Sequence, residues 1–545
     1  MMSDEGAIRR DIGTTALVFL GFGSMVGSGW LFGAWRAAQI AGPDAIYAWI
    51  IGAAIMMIVA LPFIEMGAMF PRSGSAARYG YYSHGSLLGF LSGWSAWVSI
   101  ALVIPVEAIA SVQYMSSWSF EWAHSLYVYA PDGQGELTPA GLVICGVLLI
   151  VYFLINFWSV KMFARTTTVI TIFKVIVPAL TAIVLIYEGF HPSNFSVGLH
   201  GGAHAHNFSA ILTAVATSGV MLAFAGFQQP LNFAGEARNP GRSIPLAIFG
   251  TIILGGILYF MLQLAFLGGV DPAALKNGWV GLELGSPFAQ LALMLNLNWL
   301  AILLYADAFV SPGGAGITYT GSTARMLYAL ERNGNLPRVF GELDPVYGVP
   351  RKAMTINLMI SFVLLYFFRG WGTLASLTSV AIIVTYTVVP ISVVVMRRTA
   401  VDAHRPLRIP ALKLFAMAAF VISSLMLYWS RWPHPGQLML LLMFPLPIYI
   451  YYEAKRGWVD FAQHFKSALW FIGYLLTIAG LSWAGSPNFG GHGYIAFGWD
   501  QLCVVLASSG CFWWGVQSGW HTPVLSELVP VDLIPPISED LVPDL

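Results

Sequence analysis

Apolar residues along the chain gather into long windows separated by short polar stretches, near 14–40, 44–69, 86–118, 138–157, 165–187, 208–233, 244–268, 299–330, 353–368, 373–396, 412–430, 437–452, 468–484 and 497–519. Most reach roughly 18 residues, the length a helix needs to cross the hydrocarbon core. The pattern predicts an all-α polytopic membrane protein with about 14 transmembrane helices. Two windows are interrupted. Gly21, Gly23, Gly27 and Gly29 fall inside the first, and Met221 to Pro230, centred on Gly226, interrupts the sixth. Unpaired backbone groups are costly in hydrocarbon, so an unwound stretch at that depth persists where it lines a cavity or binds something. Two breaks five windows apart predict two five-helix halves of opposite orientation with a solute site between them near the bilayer midplane.

Composition agrees with this reading. Hydrophobic residues make up 57% of the 545 positions and charged residues 10%, well outside the range of a soluble domain. The formal net charge is zero, yet the basic residues sort by side. The loops on the face opposite the N-terminus carry only Lys276, Arg369 and Arg431, and Arg36 and Lys174 lie well inside windows. All other basic residues, Arg9 and Arg10 among them, lie on the N-terminal face, which is therefore expected to be cytoplasmic. The first window lacks a cleavage site behind it and runs on into further spans, so it is read as retained. Nucleic acid is excluded as a partner. Cys145, Cys503 and Cys511 sit in apolar windows without disulfide or zinc spacing. His200, His204 and His206 share a Gly-rich outer loop in which no Cys, Asp or Glu completes a ligand set, so this loop is read as solvated and no metal is expected. No cofactor is implied. Residues 521–545 are rich in proline and acids and have no basic residue, a composition given no fold.

Three stretches carry a family resemblance: Gly27-Ser28-Gly29 in the first window, Gly235-Glu236-Ala237-Arg238-Asn239-Pro240-Gly241-Arg242-Ser243-Ile244-Pro245 after the sixth, and Gly321 to Tyr328 through Leu336-Pro337 and Gly348-Val349-Pro350 after the eighth. In this order they resemble the amino acid, polyamine and organocation (APC) superfamily of carriers over about residues 10–455. Arg78 to Gly85 and Tyr305 to Gly314 look most like its bacterial aspartate:proton symporter branch. The resemblance implies a five-plus-five inverted-repeat (LeuT-like) core with helices one and six broken. It divides the chain into a transport core over 1–400, helices eleven and twelve over 401–455, two additional helices over 456–520 and the acidic tail. The superfamily commonly has twelve spans, so the last two helices depart from its pattern.

The candidate site follows from the breaks. Backbone N–H groups at Gly27, Ser28 and Gly29 begin the outer half-helix, where free donors and the positive dipole end favour a carboxylate; close helix packing is the other use of such small residues. At the second break, carbonyls near Phe224, Ala225 and Gly226 would accept from an ammonium group. Gln228 and Gln229 would read a side chain, and the resemblance suggests Phe227 as a cover. Phe224 and Phe227 serve equally as packing. Arg36, two turns beyond Gly29, would hold an acidic side chain by paired hydrogen bonds or reach the headgroups.

Lys174, Glu107 and Asp307 are the deep ionisable residues, and a central charge costs about 2.5–3.5 kcal/mol. Proton-coupled carriers of the superfamily place a lysine in span five on span-one carbonyls and a span-eight hydroxyl; the resemblance implies Gly23, Val26 and Ser311 as its partners here. Glu107 and Asp307 would relay protons or simply bond to a neighbouring helix. The chain thus reads as a proton-coupled symporter of amino acids in a cell (inner) membrane, with an acidic substrate such as aspartate or glutamate. An amino acid or amine exchanger and a transporter-like sensor are the alternatives. No clustered nucleophile or metal set at depth supports an enzyme.

Overall fold

The computed structural model describes residues 12–70, 75–129, 135–158, 160–232, 237–344 and 349–528. Arg9 and Arg10, residues 71–74, Gly235, Glu236 and Gly348 of the motifs, and the tail beyond 528 lie outside them. Each of the fourteen apolar windows is helical. Ten helical stretches among the described residues are long and apolar enough to cross a membrane, eleven if the bent pair Phe208–Thr217 and Val220–Leu231 is one span. One of the ten, Gly29–Met69, runs through two windows by way of the 3-10 turn Gly42–Asp44. Thr14–Met25, with 12 residues, extends about 18 Å and is too short to cross alone. With Gly29–Ala41 beyond the break it reaches the necessary length.

The interior is built around a few helices. The apolar windows within Trp371–Thr399 and Ser86–Met115 are 100% and 94% buried, against 33% for Pro139–Phe157, so the first two are central and the last is peripheral. Thr14–Met25 packs on Val160–Glu188 and Pro240–Gly269, and Asn298–Arg332 packs on Val103–Met115 and Val160–Glu188. Helices one and eight therefore both pack on helix five. A two-stranded antiparallel ribbon, Tyr127–Tyr129 with Gly135–Leu137, lies on the face poor in basic residues.

The basic face is tied by a buried ion pair. Glu65, 1% exposed, accepts from Arg397 Nε at 2.7 Å and Nη2 at 2.6 Å and from the Ile409 amide at 2.9 Å. Removing one partner of such a pair leaves the other charge buried, at about 3–5 kcal/mol. Arg397→Ala is expected to lower the thermal midpoint of the purified protein more than Arg397→Lys does; equal midpoints for wild type and Arg397→Ala would contradict it.

The last two helices dock on this body. Phe461–Ala484 and Trp499–Ser518 pack on each other and on Leu412–Trp429, and the buried His84 ring bonds through Nε2 to the Gly515 carbonyl at 2.9 Å. Two expectations are corrected here. The first helix turn of the tail is ordered: Pro523–Leu528 is helical, anchored by Thr522 Oγ1 on the Tyr82 carbonyl at 2.9 Å. The histidine loop is also not simply solvated, because His204 and His206 meet Asp44 from the turn after Gly29–Ala41. That acid is 160 positions away in sequence, which is why the loop by itself displayed no ligand set.

Candidate functional site

The first helix ends where expected. Val26 leaves helical geometry at φ −82° and ψ 92°, and the Gly27 amide turns back to the Met25 carbonyl at 3.1 Å. A new helix starts at Gly29. The Ser28 amide, one of the donors freed by the break, is taken by a side chain: Glu107 Oε2 accepts from it at 2.7 Å. A Cβ on Gly27 would stand 2.6 Å from Glu107 Oε1, so a side chain there would push the carboxylate from this position. The Ser28 hydroxyl accepts from the Trp371 indole at 3.0 Å.

The second break is placed differently from the sequence reading. The sharp bend, 49°, lies between Phe208–Thr217 and Val220–Leu231, upstream of Met221. Gly219 takes the left-handed conformation, φ 94°, that ends helices at little cost for glycine alone. The expected irregularity at Ala225, Gly226, Phe227 and Gln228 is present as a 3-10 turn. This turn crosses the first break backbone to backbone. A Cβ on Gly226 would lie 2.3 Å from the Met25 nitrogen and 2.5 Å from the Ser24 carbonyl carbon, and one on Gly29 would lie 3.1 Å from Ala223 Cα. The Tyr259 hydroxyl bridges both segments, 3.1 Å from the Met25 and the Ala223 carbonyl oxygens.

Lys174, 2% exposed, donates to the Gly23 carbonyl at 3.2 Å. Of its other implied partners, no bond from Lys174 to the Val26 carbonyl is present among the described residues, and the Ser311 hydroxyl donates to Asp307 Oδ1 at 2.8 Å, a bond between residues four apart on one helix face. Lys174 meets span eight instead at Gly314, where a Cβ would be 3.0 Å from its Cε. Asp307 Oδ2 is buried with no hydrogen-bond partner among the described residues. Ser111, one helical turn from Glu107, donates to the Ala308 carbonyl at 2.7 Å and ties span three to span eight. Glu107, Asp307 and Lys174 come from helices that pack together, since Val103–Met115 and Val160–Glu188 both pack on Asn298–Arg332. This cluster of one base and two acids is neutral when the lysine is charged and one acid holds a proton.

Phe224 and Phe227 are fully buried. Phe224 packs edge-on to Tyr259 at 5.5 Å, and Phe227 contacts Phe63 at 5.8 Å and Tyr386 at 5.6 Å. Both thus have packing partners in this conformation. Gln228 Oε1 is buried without a partner among the described residues. Arg36 stands apart from Ser28 in a small cleft, room for little more than a water, lined by Trp35, Gln113, Tyr127, Trp371 and Thr373. Trp371 is common to the cleft and to Ser28, so it stands between them. Among the described residues the Arg36 guanidinium donates to Gln39 at 2.8 Å and lies over Trp35, with no carboxylate paired to it. Burial raises the Tyr127 and Tyr129 phenols well above their usual range, so they stay neutral beside it. Trp371, Tyr259 and the cleft residues carry no local sequence signal; their roles come from contacts between distant spans.

Comparison with known proteins places this geometry in a family. The family model described as "Amino acid permease" matches residues 12–450. The chain is 49% identical over 520 residues to the glutamate/serine transporter AimA of Bacillus subtilis, covering 95% of this chain and 96% of that protein. It is 35% identical over 523 residues to the aspartate-proton symporter of the same organism, covering 95% and 98%. The lysine-specific permease LysP of Escherichia coli is 28% identical over 375 residues, covering 66% and 71%. Matches over 95% of the chain include most of the last two helices, so the two Bacillus proteins share this length. The broken first span, its crossing with the sixth and the full-length relatives agree: the chain belongs to the amino acid permease family of the APC superfamily, a multi-pass membrane protein.

Proposed function

We propose that the protein is a proton-coupled symporter that moves an acidic amino acid, glutamate or aspartate, across the bacterial plasma membrane by alternating access, with its N-terminus cytoplasmic. The observation that carries this reading is the occupation of the Ser28 amide by the Glu107 carboxylate. A helix N-terminus exposed by a break suits an amino acid carboxylate, and here an internal carboxylate sits in that position. Substrate must displace it. A proton on Glu107 removes its charge and weakens its hold on the amide, because hydrogen bonds to ionised acceptors are about twice as strong. The proton therefore binds first, and the substrate carboxylate takes the amide that Glu107 gives up. Lys174 holds the cluster's charge in balance and links it to the first break through the Gly23 carbonyl.

Five-plus-five inverted repeats over 1–400, with fourteen crossing helices and the last two as an accessory pair, complete the proposal. The Tyr259 bridge between the breaks is consistent with a substrate ammonium site formed there by span-six carbonyls. The names of the two Bacillus relatives, one a glutamate/serine transporter and one an aspartate-proton symporter, favour an acidic substrate and add serine as the first competitor to try. Arg36, without a carboxylate partner among the described residues, is the group proposed to recognise the substrate side chain as Trp371 moves aside. The test is uptake of radiolabelled glutamate into proteoliposomes, with aspartate, serine, neutral amino acids and amines as competitors. Arg36→Gln is expected to raise the KM for glutamate about tenfold or more, the size of one charge-assisted pair, and to change serine inhibition little. An equal loss for both would assign Arg36 to structure.

A further inference from the structure

We propose that Asp44, His204 and His206 form a transition-metal site on the face poor in basic residues, taking a borderline cation such as Zn2+. The site joins two distant segments. Asp44 ends the 3-10 turn that follows Gly29–Ala41, and the histidines lie in the loop that leads into Phe208–Thr217. His204 Nε2 stands 3.1 Å and His206 Nδ1 2.7 Å from the same carboxylate oxygen, Asp44 Oδ1, and the three ligand atoms lie within 4.8 Å of one another.

The loop is built to deliver both rings. Gly201 and Gly202 take positive φ, 88° and 70°, and reverse the chain, after which the His204 amide pairs with the Ser196 carbonyl at 2.9 Å. Residues two apart in an extended segment face the same side, so His204 and His206 both turn to Asp44, and the position between them is the small Ala205. The other carboxylate oxygen, Oδ2, is held by the Asn207 amide at 3.1 Å, and the Asn207 side chain caps the next helix through the Ala210 amide at 3.2 Å. A fixed outer shell of this kind orients a ligand.

Charge also favours a cation. Asp44 is 1% exposed, and a buried carboxylate requires a compensating positive group. Among the described residues no lysine or arginine reaches it; two imidazoles do. Two neutral imidazoles and a carboxylate are the donor set of zinc and its neighbours rather than of calcium or magnesium, which prefer all-oxygen sites. The His206 side chain is 75% exposed against 15% for His204, so the fourth position opens to water and the ion exchanges. Bound there, it would fasten the end of the first span's outer half-helix to the start of the sixth span.

The test uses the full chain in detergent, with any polyhistidine tag removed and metal stripped by chelator, titrated with ZnCl2 by calorimetry. One saturable Zn2+ per chain is expected, weakened about 10–100-fold or abolished in His204→Gln and in His206→Gln. His200→Gln, in the same loop, should bind as wild type does. The exposed His206 makes misfolding of its variant an unsuitable explanation for loss, and thermal midpoints without metal check this for both. Absence of saturable binding, or binding unchanged in both ligand variants, would overturn the site. The readout is metal binding and does not depend on what the protein transports.

Discussion

Lys174→Ala is expected to abolish the response of uptake to an inward proton gradient, and Glu107→Gln to flatten the dependence of the glutamate KM on external pH. The reason is the charge count at the first break. With Lys174 charged, the Glu107 and Asp307 pair can be neutralised by one proton, and a net charge left in hydrocarbon is expensive. Removing the lysine leaves two acids without their cation, so both stay protonated and the cycle no longer picks up and drops a proton. It also frees the Gly23 carbonyl that Lys174 Nζ holds at 3.2 Å. Removing one side of a buried charge pair costs about 3–5 kcal/mol, enough to reduce net uptake by two orders of magnitude or more. Glu107→Gln keeps the shape and a weak acceptor for the Ser28 amide but has no proton to exchange. For wild type the sign is fixed: acid outside favours protonated Glu107, frees the amide and lowers the KM. A KM that falls with acid in Glu107→Gln as it does in wild type would remove Glu107 from the mechanism, and gradient-stimulated uptake in Lys174→Ala would remove the lysine.

Gly226→Ala is expected to be among the most damaging single-methyl substitutions in the protein. Its Cβ would fall 2.3 Å from the Met25 nitrogen and 2.8 Å from Met25 Cα, both backbone atoms that no rotamer change can move. The two breaks would have to separate, which also pulls the Ala223 and Met25 carbonyls off Tyr259. Overpacking typically costs about 1–3 kcal/mol and more where the backbone must shift, so transport should fall by roughly 100-fold, at about 1.4 kcal/mol per tenfold. Gly29→Ala makes a useful comparison: its nearest neighbours, Ala223 Cα and Cβ, would be 3.1 Å away, close enough to require a few tenths of an ångström of movement. Uptake and thermal midpoint measured in parallel should rank wild type above Gly29→Ala and Gly29→Ala above Gly226→Ala. A Gly226→Ala protein with wild-type midpoint and uptake would mean that the breaks do not cross this closely.

The helical plan and the first break were legible because both are written locally, in apolar windows and in glycines where a helix would not otherwise place them. Lys174, Glu107 and Asp307 stood out for the same reason: charge is conspicuous in an apolar run. The second break was legible in kind but not in place, because Gly219 resembles any other glycine in an apolar window until its left-handed φ is known. Partners were less accessible. Ser28 and Trp371 are 343 positions apart, Ser28 and Glu107 are 79 apart, and nothing in either neighbourhood marks the contact. The aromatic residues of the second break show the converse. Phe224 and Phe227 drew attention through position, yet both are packed among other rings. Asp44 was hidden by distance too, since the helix turn that carries it looked like an ordinary Gly-Pro-Asp connection.

The central claim, that amino acid entry carries a proton inward through the Glu107 and Lys174 cluster, is tested most directly by proton movement itself. Proteoliposomes holding a pH-sensitive dye, clamped at zero membrane potential and equal pH on both sides, receive glutamate on the outside. The account predicts acidification of the lumen that follows glutamate entry and disappears in Lys174→Ala. Glutamate entry with no change in lumen pH, or entry only into vesicles preloaded with amino acid, would contradict it.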